Sequence, residues 1–76
     1  MNKTRRAALT SISNSLDVLK IELEVLRDEE QDYYDNMPES FQNGDKGSAA
    51  SESLQHLGEA IEAVETATDK IWDAST

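Results

Sequence analysis

Seventy-six residues with a net charge of −9, 37% apolar and 30% charged side chains and no cysteine predict one small acidic domain. The composition excludes a disulfide framework or thiolate site, and no stretch approaches the ~20 apolar residues of a membrane span. The charge opposes direct binding to nucleic acid or anionic membranes, which rely on Lys and Arg to neutralise phosphates. The first residues, MNKTRRAALTSISNSL, are basic but lack the continuous apolar run of a secretion signal, so a cytoplasmic setting is expected.

The predicted fold is all-α, one helical hairpin domain over residues 1–76. A helix at about 3–34, an ordered elbow at 35–47 and a helix at about 48–73 run antiparallel. In the first helix Leu9, Ile12, Leu16, Leu19, Leu23 and Leu26 alternate at three- and four-residue steps, a heptad seam for a partner helix. The seam turns polar at Glu30 and Tyr33. Val18, Ile21 and Val25 form a second apolar stripe, almost opposite the first at about 100° per residue. A helix apolar on two sides needs two neighbours. The stripe is therefore expected to meet a second copy, giving an antiparallel dimer and a four-helix bundle.

Charge points the same way. Lys3, Arg5 and Arg6 crowd the start of the first helix, while Asp28, Glu29, Glu30, Asp32, Asp35 and Glu39 crowd its end and the elbow. Both placements oppose the helix dipole. Within the hairpin the basic start is expected near Asp69 and Asp73. Two hairpins packed in opposite sense bring Arg5 and Arg6 to Asp28, Glu29 or Glu30 of the partner subunit. A lone hairpin of this size is marginal, and dimerisation is the ordinary remedy.

The elbow, DNMPESFQNGDKG, holds the chain's one proline and an aromatic that a disposable linker would not carry. Asn36 is expected to cap a short helical turn, with Glu39 closing a capping-box-like pair and Pro38 in the first turn. Phe41 is expected to tuck over the hairpin end beside Met37 and a ring of Tyr33 or Tyr34. Asn43-Gly44 ends the turn through tolerance of positive φ, and Asp45 or Ser48 caps the next helix.

In the second helix Ala50, Leu54, Leu57, Ile61, Val64, Thr68 and Ile71 repeat the seam, with Trp72 alongside. Ser53, Ala60, Ala67 and Ala74 recur every seven residues on one flank, where small side chains admit another helix closely.

Catalytic and metal signals are weak. His56-x-x-Glu59 reverses the Glu-x-x-His order of bundle di-iron sites and occurs once. Glu29-x-x-Asp32 and Glu62-x-x-Glu65 distantly resemble paired acidic motifs of all-helical nucleotide pyrophosphohydrolases, and are also ordinary solvent-face patterns. With no Gly-rich phosphate loop and no Ser/His/Asp arrangement, no enzyme, cofactor or metal is expected. The run DEEQDYYD is either a solvated helix end or a contact surface for a basic partner. In the second case Asp28, Glu29, Asp32, Tyr33 and Tyr34 carry the contact, the tyrosines as anchors.

EEQDYYDNMPESFQ, a small-residue stretch and LGEAIEAVETA together resemble short, acidic, largely uncharacterised proteins of bacteriophages and prophages. The resemblance covers about residues 28–67 and is most specific at Tyr34–Glu39 with Gln42. Phe41 stands where leucine is more usual, and NGDKG replaces a more acidic or serine-rich linker. It implies a phage setting, hence the host cytoplasm, and no mechanism. The expected function is a non-enzymatic interaction protein that self-associates and binds an unidentified host or phage protein, as inhibitor or adaptor. The alternative is an acidic mimic of nucleic acid that blocks a host defence factor, using Glu52, Glu59, Glu62, Asp69 and Asp73.

Overall fold

A computed structural model describes residues 1–75. It is all-α: α1 (Lys3–Asp35), a single turn α2 (Glu39–Gln42) and α3 (Asp45–Ser75). The two long helices pack antiparallel into a rod of 58 × 15 × 12 Å, the hairpin that the matched heptads predict. Among the described residues, no helix is long and apolar enough to cross a membrane.

The α1 N-terminus is capped by Asn2, whose Oδ1 accepts from the Arg5 N–H at 2.8 Å, so one of the four orphan amides of the first turn is satisfied. At the other end the helix runs through Asp35 and closes on Asn36. This residue caps the end of α1 and not the start of α2: its side-chain Nδ2 donates to the Asp32 carbonyl at 2.8 Å. The short turn opens at Pro38 with no side-chain cap. Its fixed φ and extended ψ, −57° and 148°, supply the change of direction directly. The expected capping pair of Asn36 and Glu39 is thus replaced by a helix stop and a proline corner.

The exit from α2 also differs from expectation. Asn43 sits at φ −88°, in the right-handed region, and none of the described residues has positive φ. α3 begins at Asp45, so Ser48 already lies inside it, its N–H bonded to the Gly44 carbonyl at 3.0 Å. Glycine is required at residue 47 for another reason. A Cβ built there would fall on the Gln42 carbonyl, because the first turn of α3 passes directly over the end of α2. Gly47, Ala50 and Ile61 are the buried residues of α3.

The inward positions of α3 are those the heptad predicts: Ala50 and Ile61 are buried, and Leu54, Leu57, Val64, Thr68 and Ile71 are half-buried. α1 is rotated from expectation. Leu9, Leu16 and Leu23 face α3, but Ile12, Leu19 and Leu26 are exposed. Their seam places go to Ser13, Lys20 and Arg27, followed by Glu30 and Tyr34, all half-buried. Lys20 and Arg27 lay aliphatic stems along the seam and carry their charges to its rim. There Lys20 Nζ meets Glu65 Oε1 at 3.0 Å and Arg27 meets Asp28 at 3.2 Å. The rotation is anchored at the elbow, where Gln42 Nε2 donates to the Tyr34 carbonyl at 3.0 Å.

Candidate functional site

Surface, and not a cavity, is what the hairpin offers. The side chains that are exposed despite being large and apolar include Ile12, Val18, Leu19, Ile21, Val25, Leu26, Tyr33, Phe41 and Trp72. Among the described residues only Ala50 and Ile61 of the apolar set are buried, and no large side chain is fully buried. Exposed large apolar side chains thus run the length of the rod, more than scattered single residues would place there.

These residues fall on distinct faces. The outer stripe Val18, Ile21 and Val25 lies on the side of α1 turned away from α3, with Ile21 at 61% exposure. A lateral face is formed by two rows with seven-residue spacing. One runs Ile12, Leu19, Leu26, Tyr33 along α1; the other runs Lys46, Ser53, Ala60, Ala67, Ala74 along α3. That both rows border the same face follows from the cleft at the elbow, which Tyr33 of the first row and Lys46 of the second line together. The opposite lateral face is more polar. There Asp17, Lys20, Glu65 and Asp69 surround one groove, and Trp72, 71% exposed, lines another with Leu9, Thr10, Asn14 and Ile71.

The elbow cleft has a volume of about 300 Å³ and is lined by Tyr33, Asn36, Met37, Pro38, Phe41 and Lys46. Phe41 has the neighbours expected for it but not the burial: it is 54% exposed, while Met37 is half-buried. A single four-residue turn is too short to fold its ring over both helix ends. Asn36, Pro38 and Gln42 stop α1, turn the chain and tie the elbow to α1.

At the acidic end Asp28, Glu29, Asp32 and Tyr33 are exposed. Tyr34 turns inward and is half-buried, so it does not stand beside Tyr33 on one surface. Asp28 is engaged by Arg27. Arg5 and Arg6 are exposed on the first turns of α1, at the far end of the rod.

Glu52, Glu59, Glu62, Asp69 and Asp73 are all exposed and lie within about 100° of one another on the sector of α3 turned from α1. His56 Nδ1 sits 3.6 Å from Glu59 Oε2 on that sector, and Gln55 Nε2 donates to Glu59 Oε1 at 3.1 Å. Among the described residues, no group of three or more His, Cys, Asp and Glu side chains converges to hold a metal ion. No buried side-chain polar atom among them lacks a hydrogen-bond partner.

No family model, curated protein or solved structure matches this chain.

Proposed function

We propose that the chain is a non-enzymatic interaction protein, a rigid helical rod that self-associates and binds a host or phage protein as inhibitor or adaptor. The observation that carries this reading is the apolar surface left outside the hairpin seam. Val18, Ile21 and Val25 are more than half exposed on a helix whose opposite side is already occupied by α3. Exposed apolar stripes of that kind are retained for contact with another chain. The resemblance of the elbow to small phage proteins accords with such a role.

A second reading, the acidic mimic of nucleic acid, draws on the carboxylate sector of α3. Ala63 and Thr66 interrupt that sector, and the apolar stripe favours the first reading.

One comparison separates them. Immobilised wild type, a Val18→Glu/Ile21→Glu variant and a Glu59→Gln/Glu62→Gln variant are each exposed to host extract, and retained proteins are identified by mass spectrometry. A partner kept by wild type and the carboxamide variant, but lost by the stripe variant, supports the interaction reading. The reverse pattern supports the mimic. Identical sets from all three contradict both.

A further inference from the structure

We infer that the lateral face of the hairpin is covered by a second copy of the same chain, related by a two-fold axis at the level of Leu19. This deepens the proposed self-association by assigning its surface, which leaves the outer stripe Val18, Ile21 and Val25 uncovered for a different protein.

Within the two rows, the aliphatic residues of α1 and the small residues of α3 share one centre, with Tyr33 and Lys46 standing beyond them at the elbow end. Ile12, Leu19 and Leu26 are symmetric about Leu19, while Ser53, Ala60, Ala67 and Ala74 are symmetric about the step between Ala63 and Val64. The hairpin places these two levels together: Lys20 reaches Glu65, and Leu9 shares a groove with Ile71, Trp72 and Ser75. A single two-fold axis through the face therefore returns both of these sets onto themselves. Ile12 then lies level with Leu26 of the partner subunit and Leu19 with the partner's Leu19, while on α3 Ala60 meets the partner's Ala67 and Ser53 the partner's Ala74. Isologous contact requires such self-complementarity.

Charge selects the antiparallel sense. Equal steps from Leu19 bring Lys3 level with the partner's Asp35 and Arg6 level with the partner's Asp32. Arg5 falls beside the partner's Tyr33, in reach of a cation–π contact. Parallel rods would instead stack two acidic ends. The size also fits: a face 58 Å long and about 15 Å wide offers on the order of 800 Å² per copy, typical of a stable protein interface. The other lateral face carries the Lys20–Glu65 ion pair near its middle and Trp72 at one end, and has neither the apolar row nor the shared centre.

Sedimentation equilibrium at micromolar concentration, with circular dichroism as a folding control, tests the face. The wild type and Ile21→Glu are expected at twice the 8.4 kDa chain mass, and Leu19→Glu at the chain mass with unchanged helicity. A monomeric wild type, or a dimer that survives Leu19→Glu, overturns the inference. Dissociation by Ile21→Glu also overturns it and moves the dimer to the outer stripe, leaving the interaction reading intact. Spin labels on Glu22→Cys and Glu29→Cys, introduced singly into the cysteine-free chain, test the sense independently of folding at Leu19. The antiparallel axis separates labels at 22 by about 9 Å along the rod and labels at 29 by about 30 Å. Short distances at both sites overturn it.

Discussion

Lys20 and Glu65 join the two long helices, Nζ to Oε1 at 3.0 Å, from a seam position that a leucine would ordinarily hold. The hydrogen bond and charge of Glu65, with lesser help from Glu24 and Asp17, raise the lysine pKa above its ordinary 10.5. A cationic group with a raised folded-state pKa stabilises the fold fully below its unfolded value. That contribution disappears as pH climbs through the folded value. Thermal melts should therefore show an alkaline loss above about pH 10.5 that is larger in wild type than in Glu65→Gln. Parallel curves for the two proteins would show the pair to be inconsequential.

Two glycines in α3 should respond oppositely to alanine. Gly47→Ala drives a methyl into the Gln42 carbonyl and should cost about 2–3 kcal/mol, in the range of overpacking. At Gly58 an added methyl would meet nothing within 4 Å. Gly58→Ala in a helix interior should therefore stabilise by about 0.5–1 kcal/mol. Urea titrations of both variants check the pair.

The elbow depends more on its amide than on its ring. Gln42→Ala removes the donor to the Tyr34 carbonyl and should cost about 0.5–1.5 kcal/mol, the net worth of a typical hydrogen bond. Phe41 is half exposed, so Phe41→Ala should cost about 1 kcal/mol, well short of the ~3–5 kcal/mol for a fully buried phenylalanine. Equilibrium unfolding should rank the two losses as comparable.

How far the fold could be read beforehand differs between the helices. All seven heptad residues from Ala50 to Ile71 turn inward, because α3 has one apolar sector and one way to bury it. α1 has apolar residues at Ile12, Leu19 and Leu26 on one edge of the seam, with Lys20 and Arg27 on the other. Periodicity counts those two as polar, although their aliphatic stems can lie along a two-helix seam with the charge at its rim. The resulting rotation is set by the Gln42–Tyr34 bond and the close pass at Gly47, neither of which has a spacing signature. Asn36 illustrates a similar limit at the elbow: asparagine suits both ends of a helix, and only the position of Pro38 relative to Asp35 decides which. The outer stripe Val18, Ile21 and Val25 was legible because no rotation that keeps Leu16 inward can bury it.

Whether another chain covers the apolar exterior of the hairpin is tested most directly by the urea midpoint as a function of protein concentration. Association by mass action adds about 2.7 kcal/mol over a hundredfold rise in concentration. With a slope of about 1–3 kcal/mol/M this moves the midpoint by roughly 1–3 M. A midpoint rising by that amount between micromolar and hundredfold higher concentration is the result expected. A midpoint independent of concentration would contradict the proposed assembly, because the hairpin would then be stable with its apolar faces in water.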